Sequence, residues 1–160
     1  MNKPFFHWLD DWQLDLDCLD KQHHQIVRSI NALHKAFVYD LDHPSGDGKR
    51  IIRHLYTLSD QVRTHFKIEE YLMRTHEYPQ LLAHRREHRF LLAELQVCIR
   101  DHEANRKPFN MDTLTALKHW LINHVIGSDK VFAEYLSTQS QEALESSLRS
   151  INQTQSSSTG

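Results

Sequence analysis

The chain has 160 residues, a formal net charge of −2 and a pI near 6.7, which makes one domain with a real core and leaves no strong basic field for nucleic acid or an anionic membrane surface. No apolar run nears the roughly 20 residues of a membrane span, and the segment from Met1 to Asp10 lacks the apolar stretch and cleavage site of a signal peptide. Two cysteines, Cys18 and Cys98, build no disulfide framework, so a soluble cytoplasmic protein is expected.

An extended arm is expected over residues 1–16. The first helix is predicted from about Asp17–Asp20 to Tyr39, because Ile26, Ile30, Leu33 and Phe37 recur at three- and four-residue steps and His23 continues that stripe backward. Asp17 and Asp20 suit its N-terminus. The breakers from His43 through Pro44, Gly46 and Gly48 predict a loop. A second helix follows from Lys49 to Thr75, with Ile52, Leu55, Leu58, Val62, His65, Glu69 and Leu72 or Met73 inward. A third is predicted from Pro79 to Glu103, burying Leu81, His84, His88, Leu91, Leu92, Leu95 and Ile99. Pro108 closes the connection, and a fourth spans Met111 to Leu136 with Leu114, Leu117, Leu121, His124, Val125 and Phe132 inward. No strand-like alternation competes, so the expected fold is all-α: an up-down-up-down antiparallel four-helix bundle over residues 17–136. Residues 137–160 hold eight serines and read as a tail with a short amphipathic helix around Leu144, Leu148 and Ile151 and a disordered end.

Four groups within those stripes carry chemistry: His23; His65 with Glu69; His84 with His88; His124 with Asp129. A spacing of four puts both members of a pair on one helix face, one turn apart. Lining a solvated face does not explain them, because the pairs lie in the apolar stripes, where unpartnered imidazoles and carboxylates would cost several kcal/mol. Four such groups on four helices describe a metal site in the bundle core. Imidazole is the commonest metal ligand, and five imidazoles with two carboxylates suit first-row transition metals, iron included, better than magnesium or calcium. His124 and Asp129 are five apart, which an ideal α-helix does not align; a local π-type widening at Gly127 and Ser128, or an aspartate reaching in from the flank, is expected. Five bonds from histidines, four from two bridging carboxylates and two from a solvent-derived oxo or hydroxo bridge leave one of the twelve positions of two octahedral ions open, as at a ligand-binding centre. The remaining histidines, His7, His24, His34, His43, His54, His76, His102 and His119, are expected to be exposed or hydrogen-bonded.

The ordered segments Leu19-Asp20-Lys21-Gln22-His23, His65-Phe66-Lys67-Ile68-Glu69-Glu70-Tyr71-Leu72-Met73, His84 and His88 with Phe90, and Trp120-Leu121-Ile122-Asn123-His124 with Asp129 resemble the hemerythrins, among them the single-domain bacteriohemerythrins. The resemblance covers about residues 8–136 and implies two non-haem iron ions with a bridging oxo or hydroxo group. His84, His88 and His124 would hold one ion, His23 and His65 the other with its open position, and Glu69 and Asp129 would bridge. It implies reversible dioxygen binding for carriage, storage or delivery, in a pocket of Ile26, Phe66, Leu72 or Met73, Trp120 and Leu121. Glu70 would point off the site, to the surface or a supporting position.

A di-iron redox enzyme acting on peroxide or nitric oxide, and an oxygen or redox sensor, are the alternatives. Histidine-rich ligation favours binding over oxygen cleavage, and the 24 residues after Leu136 are too few for an output domain. A reductase or an oxygen-consuming enzyme is the expected protein partner, and a monomer or weak oligomer the expected assembly.

Overall fold

The computed structural model describes residues 4–43 and 49–156. Within them the chain forms α1 (Asp17–Asp42), α2 (Lys49–Thr75), α3 (Leu81–Glu103) and α4 (Met111–His124), which passes through a π-helical turn (Val125–Asp129) into α5 (Lys130–Ser156). The described residues contain no strand, and α4 with its continuation makes the fourth member of an all-α bundle. α1 packs on α2, α2 on α3, and α4 returns to α1, as in an up-down-up-down arrangement. Most of the expected loop, beyond His43, and the last four residues lie outside the described part.

The apolar stripes bury as their spacing predicts. Ile26, Ile30 and Leu33 of α1 meet Leu55, Leu58 and Val62 of α2, Leu91, Leu95 and Ile99 of α3, and Leu114 and Leu121 of α4 in one core. Ile51, not Ile52, is the buried member of its pair, and Leu81, Leu92 and Leu117 are only half-buried, since the stripes are narrower than the apolar sequence. α3 begins at Leu81, with Pro79 in the preceding turn. Two helix ends use left-handed residues without glycine. Glu77 (φ 53°) follows α2 and Asn105 (φ 52°) follows α3, and the next amides, Tyr78 and Arg106, donate back to the carbonyls of Met73 and Asp101 at 2.8 and 2.9 Å. Asn110 caps α4 by accepting from the Thr113 amide at 2.9 Å.

The fourth helix does not stop at Leu136. It runs on to Ser156, because residues 137–156 contain neither glycine nor proline and the backbone meets no breaker. No helix among the described residues is long and apolar enough to cross a membrane.

The N-terminal arm, expected merely to be extended, is built into the core. After one 3-10 turn (Asp10–Trp12) it delivers Leu14 to the interior, and Phe6 is fully buried. Asn31 of α1 accepts from the Phe6 amide and donates to the Phe6 carbonyl, both at 2.8 Å. Lys118 donates to the Phe5 carbonyl at 3.1 Å and Lys130 to the Asp11 carbonyl at 2.8 Å. Asp20 gathers the Leu14 and Leu16 amides at 2.9 and 3.0 Å, so its carboxylate serves the approach to α1 and not the helix amides themselves. Asn31→Ala therefore leaves a backbone amide and carbonyl unpaired and should cost about 1–3 kcal/mol, with faster protease cleavage near Phe5–Leu9. Unchanged denaturation and cleavage would remove Asn31 as the anchor.

Candidate metal centre

Each of the seven residues singled out in the sequence reaches one buried cluster: His23 from α1, His65 and Glu69 from α2, His84 and His88 from α3, His124 from α4 and Asp129 from the π turn. The four-residue pairs do so by ordinary α-helical periodicity. His124 and Asp129 do so because the Lys130 amide bonds back five residues to the Val125 carbonyl. That wider turn brings a residue five positions on back to the starting face. A Cβ on Gly127 would meet nothing within 4 Å, so no close approach requires the glycine. The flanking-aspartate alternative falls away, and His23 rather than His24 is the histidine of the stripe.

The donor atoms form two sets that share Asp129: Glu69, His84, His88, His124 and Asp129 in one, His23, His65 and Asp129 in the other. Asp129 Oδ1 lies 3.0 Å from His124 Nε2 and 3.2 Å from His84 Nε2, while Oδ2 lies 3.1 Å from His23 Nε2 and 3.8 Å from His65 Nε2. Glu69 Oε2 is 3.2 Å from His88 Nε2, 3.3 Å from His84 Nε2 and 3.9 Å from His65 Nε2.

Close as they are, several of these atoms do not satisfy one another. Both Glu69 oxygens, His84 Nε2 and Asp129 Oδ1 are buried without a hydrogen bond, because they point at a common interior and not along donor–acceptor lines. His65 Nδ1 donates to Gln22 Oε1 and His88 Nδ1 to Glu70 Oε1, both at 3.0 Å. In the neutral rings this turns the Nε2 lone pairs inward. His23 and His65 then oppose Nε2 to Nε2 at 3.1 Å, as do His88 and His124. In the ion-free protein the His23 and His124 rings can donate across these contacts, and without those protons the inward lone pairs are free to hold a cation. The spacing also fits: donors at the corners of an octahedron with bonds of about 2.1 Å are about 3 Å apart. The residues therefore fit bound metal and do not form a self-contained polar network.

Burial opposes charge throughout the cluster. For His84 it is outweighed by the Asp129 and Glu69 carboxylates, which lift the ring to about 9. For His124 it is outweighed by Asp129, Glu87 and Glu69, which lift it to about 10. Burial depresses His23 and His88. Asp129 stays well below the carboxylate range, burial being overcome by the charge and proximity of His124 and by His23 and His65. Glu69 is lowered too: burial and the Asp129 charge push it up, and His84, His88 and His65 more than reverse that.

The family description "Hemerythrin HHE cation binding domain" matches residues 14–136, well over half of the chain. The chain belongs to the hemerythrin family. A bacteriohemerythrin of Methylococcus capsulatus is 31% identical over 118 residues, 74% of this chain and 86% of that one. A bacteriohemerythrin of Stenotrophomonas maltophilia is 28% identical over 127 residues, 79% of this chain and 78% of its own. The crystal structure of a wild-type hemerythrin superposes with a TM-score of 0.72 at 27% identity, covering 81% of this chain and 96% of that chain.

This hemerythrin places the expected pocket residues unevenly. Ile26, Phe66 and Leu121 are buried, whereas Leu72 and Trp120 are half-buried and Met73 is the fully buried member of its pair. Phe66 stacks on His88 with ring centroids 3.7 Å apart and meets His124 edge-on at 5.4 Å. Phe90 is 63% exposed and far from any ligand role. Three outer partners were not singled out in the sequence: Gln22 on His65, Glu87, whose Oε1 lies 3.4 Å from His124 Nδ1, and Trp8 of the arm, packed 5.5 Å from the His23 ring. Ser128 donates to Glu87 at 2.6 Å, and Glu87 is held down to about 2, chiefly by His124. Glu70 takes the supporting position, bonded to His88. Polar residues one position from a ligand were the available signal. Among the remaining histidines, His102 accepts from the Phe109 amide at 3.0 Å and His34 stacks on Phe5 at 4.7 Å.

The sign of the pH dependence follows for the protein without ions. His84 and His124 are raised above 6.5, so their stabilisation is complete below that value and is lost as pH rises through about 9 and 10. Asp129 and Glu69 are depressed, so theirs is lost as pH falls below the carboxylate range; depressed His23 and His88 add to the acid loss below 6.5. Chemical denaturation after chelation should show stability falling between pH 6.5 and 10, and His124→Asn should flatten that limb. A chelated protein equally stable at both ends would contradict the charge state assigned to His84 and His124.

Proposed function

We propose that this hemerythrin binds dioxygen reversibly at a non-haem di-iron centre, with His84, His88 and His124 on one ion, His23 and His65 on the other, and Glu69 and Asp129 bridging. The observation that carries the reading is the shared carboxylate: Asp129 offers one oxygen to the His84 and His124 side and the other to the His23 side. Three imidazoles face two, so the protein supplies one ligand fewer at the His23 and His65 ion, and that shortfall is where a small ligand enters. Once bound, a ferrous pair supplies two electrons to dioxygen and recovers them on release.

The chain's own part is to hold neutral imidazoles in one tautomer and to keep the centre dry. Gln22 and Glu70 fix the tautomers of His65 and His88 by accepting hydrogen bonds from their Nδ1–H groups, and such partners raise ligand basicity and order the rings. Phe66 covers His88 and His124 with its ring, and Ile26 and Leu121, one helical turn from His23 and His124, are buried in the adjoining apolar core, which keeps out the water that would promote loss of electrons. The reading is non-enzymatic: the described site holds and releases, and neutral-imidazole ligation suits that better than cleavage.

The deciding experiment is anaerobic reduction of the iron-loaded protein, oxygen titration with visible absorption, and purging with inert gas. A band that saturates near one oxygen per chain and fades on purging supports carriage. Irreversible conversion to the diferric state, or continued oxygen consumption, replaces it with a redox enzyme or a sensor. Ile26→Ala should hasten oxidation to the diferric form, and an unchanged rate takes Ile26 out of the pocket. Glu70→Ala should weaken iron binding about 10–100-fold, measured by chelator competition; wild-type affinity would show that His88 needs no partner.

A further inference from the structure

The charge of this near-neutral chain is segregated along α3. Ser59, Phe66 and Glu70 of α2 meet Gln96, His88 and Arg85 of α3, which fixes the facing sides of the two helices. At about 100° per residue, Arg63, Arg74 and Lys67 follow Glu70 outward on α2, and Arg89, Arg100 and Arg86 follow Arg85 outward on α3. All six are exposed and make no ion pair among the described residues. Tyr71 and Leu82 stand among them, 62% and 75% exposed. The other flank of α3 is acidic: Glu87 touches the π turn, and Glu94 and Asp101 line the groove against α4, opposed there by Lys107 and by Arg106, which pairs with Asp101.

The basic ridge lies over a bonded route to the metal centre. Arg85 Nε is 3.3 Å from Glu70 Oε2, and Glu70 Oε1 accepts from His88 Nδ1 at 3.0 Å. We infer that the α2–α3 ridge, with Lys67, Arg86 and Arg89 at its middle, is the docking surface for a small acidic one-electron carrier protein that keeps the iron pair reduced. The inference rests on the di-iron reading: a pair that loses an electron to oxygen stays unreactive until it is reduced again. Each carrier is oxidised by one electron, two transfers return two ferric ions to ferrous, and no bond forms or breaks on the ridge. A polyphosphate would need only the cations. The exposed apolar pair and the route through Glu70 suit a protein donor.

The probe is flavodoxin, a small acidic flavin carrier. Oxidised flavodoxin titrated into the metal-free protein should shift backbone NMR signals of Arg63–Arg74 and Arg85–Arg100, and the shifts should vanish at high salt. Arg86→Glu with Arg89→Glu, and separately Lys67→Glu, should weaken that binding about tenfold or more. They should slow reduction of the diferric protein by reduced flavodoxin by a similar factor, and leave oxygen titration and reduction by a small neutral reductant unchanged. The inference is overturned by absent binding, by shifts confined to other faces, by variant affinities within about twofold of wild type, or by an RNA oligonucleotide displacing flavodoxin from the ridge. Binding to the metal-free protein requires no oxygen chemistry, so this failure is distinct from failure of the oxygen-binding reading.

Discussion

The constraint on which the rest depends is that one aspartate must face two groups of imidazoles in a core that water does not reach. In an α-helix, a residue five positions after His124 would point roughly 140° away from it. The π turn at Val125–Asp129 removes that offset, exchanging regular i→i−4 bonding for a wider and poorer loop of hydrogen bonds. A distortion of this kind persists where something else stabilises it, and the buried oxygens of Asp129, drawn toward His23 on one side and His84 and His124 on the other, are that something. The helix then resumes its α geometry, so a single turn carries the whole adjustment.

Much of this was legible because two periodicities coincide. The pairs His65/Glu69 and His84/His88 repeat at the interval that keeps an apolar stripe on one face, so their burial followed once the helices were assigned. The five-residue interval of His124 and Asp129 announced a defect by breaking that rule, and the two explanations it allowed were separated only by the backbone. What stayed hidden depends on rotation and tertiary register. Gln22, Glu70 and Glu87 each sit beside a ligand; Gln22 and Glu87 read as solvated polar positions, and Glu70 as either a surface or a supporting one. Which of them turns its head group to an imidazole is set by how neighbouring helices meet, as when Glu70 of α2 bonds His88 of α3. Ile51 and Ile52 are equally apolar, and only the rotation of α2 chooses between them.

The arm was illegible for a different reason: its anchors are remote in sequence. Lys118 and Lys130 hold the carbonyls of Phe5 and Asp11 across 113 and 119 residues, and no local pattern announces a lysine that serves a backbone carbonyl. Their effect is to press Trp8 against His23. The end of the site that is poorer in protein ligands is thus closed by a segment outside the four helices.

That closure complements an electrostatic asymmetry in the support of the imidazoles. His88 donates to the Glu70 carboxylate and the Glu87 carboxylate lies 3.4 Å from His124 Nδ1, near enough for its charge to act without a hydrogen bond, whereas His65 is backed by the neutral amide of Gln22, and His23 Nδ1 has no hydrogen-bond partner. A carboxylate behind a histidine raises its basicity, and an amide does so less. In the di-iron reading, the three-histidine ion is therefore the electron-rich, saturated member, and the two-histidine ion is the one whose ligands least compensate its charge. For a small ligand able to accept electron density, donor strength would favour the three-histidine side, so support and ligand number pull apart. Ligand number decides: the His23 and His65 side is where the protein leaves room for a ligand.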